Sequence, residues 1–209
     1  MRFLIYNSFV FAFLSVFTSA KDWTKFRGPT GDGHVTVKSI PLKWSDTENV
    51  KWKVSVPGKG WSSPVISKGK ICLTSAVAEG DNQDAADVSR ELRVICYDSS
   101  NGKEIWDTKV FEQKPLKRPI HHKNSHASPT PIIEGGKVYV HFGHMGSACL
   151  DLKGKIIWKN NELKYDPIHG NGGTPIIVDN LFFYSADAST NPFVVALDKN
   201  TGKVLWKKL

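Results

Sequence analysis

The chain has 209 residues, 40% hydrophobic and 23% charged, with 28 Lys and Arg against 20 Asp and Glu. That balance supplies apolar side chains for a packed core and excludes a disordered chain. Its length implies one domain, and three cysteines, Cys72, Cys96 and Cys149, are too few and too widely spaced for a disulfide-stapled scaffold.

Residues 1–20 read as a cleavable export signal: Arg2 supplies the positive start, Phe3 to Phe17 the apolar run, and Thr18, Ser19 and Ala20 the small residues before polar Lys21 and Asp22. Lys21 stands where lipid attachment needs a cysteine, so the expected product is periplasmic or secreted and is not a lipoprotein. No later segment approaches the roughly 18 consecutive apolar residues of a membrane span.

Residues 21–60 form an N-terminal segment with a leading strand around Trp52. Residues 61–209 then repeat. Asp98, Gly102, Lys103 and Trp106 return as Asp151, Gly154, Lys155 and Trp158, and again as Asp198, Gly202, Lys203 and Trp206. From Trp52 onward these tryptophans follow at steps of 54, 52 and 48 residues, a period that suits one supersecondary unit per repeat. Ahead of each motif stand two short apolar runs around a tight turn, Pro64 to Leu73, Pro131 to Val140 and Pro175 to Tyr184, the pattern of a β-hairpin. Adding the strand that ends at Asp98, Asp151 or Asp198 and the strand that carries the tryptophan gives four short strands per unit.

Runs such as Leu181 to Tyr184 and Val194 to Leu197 put apolar groups on both faces, as sheets covered on both sides do. The predicted fold is therefore all-β, a partial β-propeller of three four-stranded antiparallel blades plus one leading strand. A sandwich with accidental similarity between strands is the alternative. Gly102, Gly154 and Gly202 supply the positive-φ turn before each last strand, the aspartates bond the turn backbone, and Trp52, Trp106, Trp158 and Trp206 act as flat spacers between blades. Recurrence at one position in every unit argues against these tryptophans stacking on a ligand.

The run Ala196, Leu197, Asp198, Thr201, Gly202, Lys203 and Trp206 resembles the tryptophan-docking repeat of quinoprotein-type propellers, the pyrroloquinoline quinone (PQQ)-like repeat family. That family includes PQQ-dependent alcohol dehydrogenases and the propeller subunit of bacterial outer-membrane assembly machinery. More narrowly, Trp23, Phe26, Arg27, Gly28 and Pro29, with Trp61 to Pro64, Lys123 to Pro131 and His169 to Gly172, resemble exported PQQ-binding-like propellers common in planctomycetes, whose members generally have no established activity. The resemblance implies a ring of seven or eight blades, so three blades amount to about half of one. Trp52 then resembles the strand that closes a last blade. The open faces imply either self-association or further C-terminal blades.

In an antiparallel meander, the loops entering the first strand and those joining the second to the third emerge on one face. That face carries the long segments 76–90, 111–126, 142–147, 166–173 and 186–192, with six of the seven histidines on or beside them. The binding candidates are His122, Asn124, His126, His169 and Asn171, which meet only if the loops entering the second and third blades lie side by side. Protonated histidines with Lys123 would favour an anionic or hydroxyl-rich ligand. His122 and His126 have a metal-chelating spacing only on a helix, and this segment runs into prolines, so no metal site is expected. Asp84 and Asp87 lie in a polar loop that lacks the spacing of a calcium hand.

Cys96 and Cys149 occupy the position of Ala196, which favours small packed thiols. A Cys72–Cys96 disulfide remains open in an oxidising compartment. Lysines spread over turns and strand ends offer no basic stripe for nucleic acid. The expected function is a non-catalytic extracytoplasmic propeller that binds a protein or glycan partner through its long-loop face, without catalytic residues or a cofactor. The alternative is a PQQ-dependent quinoprotein oxidoreductase fragment. For such enzymes the resemblance implies a quinone held in the channel against a tryptophan and a disulfide of adjacent cysteines, with calcium on carboxylate and amide side chains, and this chain has no adjacent cysteine pair.

Overall fold

The computed structural model describes residues 22–37, 39–116 and 119–209; the signal-like stretch 1–20 and Lys21 lie outside them. The first blade comprises β1 (Val65–Ser67), β2 (Lys70–Ala78), β3 (Arg90–Asp98) and β4 (Glu104–Gln113). The second comprises β5 (Ile132–Glu134), β6 (Lys137–His141), β7 (Ser147–Asp151) and β8 (Ile156–Asn160), and the third β9 (Ile176–Val178), β10 (Leu181–Ala186), β11 (Phe193–Asp198) and β12 (Val204–Lys208). Each is a four-stranded antiparallel sheet whose spatial order follows the chain, the meander expected of a propeller blade. A single 3-10 turn, Gly143–Met145, is the one helical element among the described residues.

Register explains how the blades stack. Residues directly opposite on neighbouring strands share a face, so Val65, Cys72, Cys96 and Trp106 form one row across the first blade. That row belongs to a core cluster with Ile133, Val138 and Leu150 of the second blade. The matching row, Ile132, Tyr139, Cys149 and Trp158, clusters with Phe182, Val195 and Leu197 of the third. The third such row, Ile176, Phe183, Ala196 and Trp206, faces outward, leaving Ile176 59% and Trp206 39% exposed.

The indoles lock each blade to the next. Trp106 lies against Gly154, Trp158 against Gly202, and Trp52 against Gly102, so close that a β-carbon on any of these glycines would fall 2.5–2.7 Å from the ring. The three glycines have φ of +75°, +85° and +72°. The indole N–H groups donate to the backbone oxygens of Leu152 (3.0 Å), Lys199 (2.9 Å) and Ser99 (3.0 Å), each the residue after the turn aspartate. Asp98, Asp151 and Asp198 accept backbone N–H groups of their own turns. Glycine, aspartate and tryptophan therefore act as one unit, in which the turn is shaped to receive the ring.

The segment around Trp52 differs from the expected strand. Residues 49–57 make no strand pairing, because among the described residues no strand lies beside them; Trp52 docks by its side chain alone. The earlier part of the segment crosses the inner strands. Trp23 exchanges two 2.8 Å backbone hydrogen bonds with Ile66, and the Thr24 carbonyl accepts from Ile133 N–H at 2.8 Å. The inner edges of the first two blades are thereby tied together.

Candidate functional site

The long segments emerge on one face, as the strand order requires, and two of them meet. The Asn124 amide donates to the His169 carbonyl at 2.9 Å, joining the loops that enter the second and third blades. His121 lies between them, stacked on His122 with ring centroids 4.4 Å apart and edge-on to His169 at 5.3 Å. Its Nδ1 accepts the Lys123 N–H at 3.1 Å, which holds the ring in place.

Beside this junction opens a cleft of about 900 Å³. Lys59, Trp61, Asp84, His122, Asn124 and His126 are among its lining residues. Trp61 is 57% exposed, while its backbone N–H is held by Ser125 Oγ and the Ala127 carbonyl. An open aromatic face on anchored backbone is a ready stacking surface. The far wall is the polar insertion after β2. The buried Arg90 guanidinium donates to the carbonyls of Gln83, Ala85 and Val88, and Lys59 pairs with Asp84 at 2.5 Å. The Gln83 side chain accepts from Ala78 N–H at 2.9 Å, so the insertion is tied to the blade by that amide as well as by Arg90, whose guanidinium satisfies carbonyls of the loop.

Of the five expected binding residues, His122, Asn124 and His126 line the cleft, and His169 adjoins it through Asn124 and His121. Asn171 does not join them: its side chain lies against Gly143 and pairs with His144 Nδ1 at 3.0 Å. The reason is local, since Gly143 has no β-carbon and one placed there would fall 1.7 Å from the Asn171 side chain. His126 is half-buried, and desolvation with the nearby Arg90 charge lowers its pKa to about 4. His141, against Ser147 Oγ at 2.9 Å and the Tyr184 ring at 4.2 Å, is lowered to about 3 by burial. His126 and His141 are therefore neutral near pH 7, and Lys59 and Arg90 are cations among the described lining residues. Among the described residues no group of three His, Cys, Asp or Glu side chains is placed to hold a metal ion.

Sequence reasoning placed His121 in the histidine-rich loop without counting it among the binding residues, and it missed Lys59, Trp61, Asp84 and Arg90 as members of this site. Trp61 carried a usable signal, because it is a tryptophan outside the docking repeat. The others meet only through tertiary packing.

The comparisons agree with the repeat architecture. A stretch of 83 residues is 42% identical to quinoprotein ethanol dehydrogenase of Pseudomonas aeruginosa, covering 37% of this chain and 13% of that protein. The Pseudomonas putida enzyme of the same name is 36% identical over 83 residues, with the same coverage. The match thus takes in a small fraction of these relatives' length. Among solved structures, a europium-containing methanol dehydrogenase matches at a TM-score of 0.46 and 16% identity over 69% of this chain and 23% of its own. BamB from Moraxella catarrhalis matches at 0.43 and 16% over 76% and 41% respectively. A family model described as outer membrane protein assembly factor BamB matches residues 42–161, more than half of the sequence, and the chain belongs to that family of PQQ-like repeat β-propellers.

Proposed function

We propose that the protein is a non-catalytic binding propeller that works outside the cytoplasm, periplasmic or secreted, and takes a protein or glycan partner on its long-loop face. The observation that carries this reading is the cleft of about 900 Å³ whose lining combines the open Trp61 ring with amide, imidazole and lysine groups. Such a surface suits hydroxyl-rich or polar ligands, which stack a flat apolar face on an indole and hydrogen-bond around the rim. The leader-like residues 1–20 support export. The test is a panel of soluble oligosaccharides and candidate partner proteins titrated against the full chain. Binding that is lost in the paired variant Trp61→Ala with His122→Ala is the expected result. Binding that survives both changes would move the site elsewhere.

The stretch similar to quinoprotein ethanol dehydrogenase favours a second reading, a PQQ-dependent oxidoreductase with calcium. The residues present do not fit that group. A quinone site of the expected kind needs two adjacent cysteines, whereas Cys72, Cys96 and Cys149 are separated in sequence and all buried. Among the described residues the one carboxylate lining the cleft, Asp84, is held by Lys59. Calorimetric titration with PQQ and calcium decides between the readings, and micromolar or tighter binding would favour the oxidoreductase.

A further inference from the structure

Cys72 and Cys96 stand directly opposite each other in the β2–β3 register, both fully buried, with Sγ atoms 2.9 Å apart. Even two carbon atoms pack best at roughly 3.5–4.0 Å, so the larger sulfurs are pressed inside non-bonded contact. The S–S bond of about 2.05 Å is less than an ångström shorter than this separation. Opposed residues of an antiparallel pair have Cα atoms roughly 4.5 or 5.5 Å apart, within the roughly 4.4–6.8 Å that a disulfide spans. The equivalent pairs in the other blades are Tyr139 with Cys149 and Phe183 with Ala196. Doubled cysteine is therefore a feature of the first blade alone, and Cys149 belongs to the other core cluster.

We infer that Cys72 and Cys96 are joined by a disulfide that staples the second and third strands of the first blade. The oxidant is another disulfide, either glutathione disulfide or a thiol-exchange protein. One cysteine thiolate attacks a sulfur of that disulfide and expels a thiolate, and the second cysteine then attacks the mixed disulfide. Two thiols lose two protons and two electrons, and the oxidant leaves as two thiols. Exchange takes place before the second blade covers this row, and the same cover afterwards shields the bond. In the cell the bond depends on the proposed extracytoplasmic location; the refolding experiment does not.

The full chain is refolded in glutathione disulfide with an excess of reduced glutathione, which keeps an unpaired thiol free, then is acidified, stripped of glutathione and alkylated with iodoacetamide in guanidinium without reductant. Of the three cysteines, only Cys149 is expected to take label, with Cys72 and Cys96 recovered in one linked peptide. Labelling of all three, or a linked peptide that contains Cys149, would overturn the inference. Dithiothreitol added to the folded chain should leave the labelling unchanged, whereas dithiothreitol in guanidinium should expose both partners. The Cys149→Ser chain should take no label at all, and any label on it counts against the pair. Chain recovered from a bacterial periplasm provides a second measurement with the same expected result. Chain held in a reducing cytoplasm should label fully, which reports the dependence on location separately from the pairing itself.

Discussion

A methyl group placed on Gly154 would sit 2.7 Å from the Trp106 ring on a residue at φ +85°, whereas one on Gly135, at φ +57°, would meet nothing within 4 Å. Left-handed backbone disfavours any β-carbon by about 1–2 kcal/mol, and forcing atoms into a packed contact adds about 1–3 kcal/mol. Gly154→Ala is therefore expected to lose about 2–5 kcal/mol of stability and Gly135→Ala only the backbone share, as read by urea unfolding. Equal losses would show that ring docking adds nothing. The buried histidines set a second expectation. His126 and His141 have folded-state pKa values of about 4 and about 3 against an ordinary 6.5, so between these values the unfolded chain binds more protons than the folded one. Their contribution is complete above pH 6.5 and falls as pH drops through that window. Unfolding midpoints measured from pH 7.5 to pH 5 should decline before carboxylates protonate, and the decline should shrink in His141→Gln. A flat profile down to pH 5 would contradict the neutral burial of these rings.

The blade is the element whose neighbour relations can be measured. Trp158 is buried between the second and third blades and donates to Lys199, while Trp206, the equivalent residue of the third blade, touches Phe183 on an open face. Truncating a buried tryptophan costs about 3–5 kcal/mol. Trp158→Ala should approach that loss and Trp206→Ala should fall below about 1 kcal/mol, compared by thermal or urea unfolding; similar losses would mean that the two rings have similar surroundings. The four-strand units, their turns and the phase of the tryptophans were legible in the sequence because Asp98, Gly102 and Trp106 act locally and recur. The crossing of Trp23 and Thr24 over the inner strands was not legible, since backbone pairing with Ile66 and Ile133 leaves no periodic trace. Half of the candidate cleft was hidden for a similar reason. Arg90 opens β3 and reads as ordinary surface charge, yet it organises the insertion that builds one wall. Asn171 shows the opposite case, where a loop residue with the right chemistry is diverted by the space above Gly143.

At the scale of the molecule, two opposing quantities decide behaviour in solution. The outward row of the third blade joins Ile176 and Trp206 with the nearby exposed Val194 and Leu205, and an apolar patch of that kind promotes association. Against it stands a formal net charge of +8, which keeps copies apart at low ionic strength. Salt at 0.5 M screens repulsion beyond a few ångströms and leaves apolar attraction in place. The chain is therefore expected to self-associate at micromolar concentration, and more strongly as sodium chloride rises. Sedimentation velocity at 0.05 and 0.5 M salt measures this directly. The paired variant Ile176→Lys with Trp206→Lys should disperse the assemblies at both salts, because it adds charge to the patch without touching the rows buried between blades. A wild-type monomer at both salts would show that the patch is too small to associate. Assemblies that persist in the paired variant would place the contact elsewhere, with the inner edges of the third blade, β9 above all, as the next surface to alter.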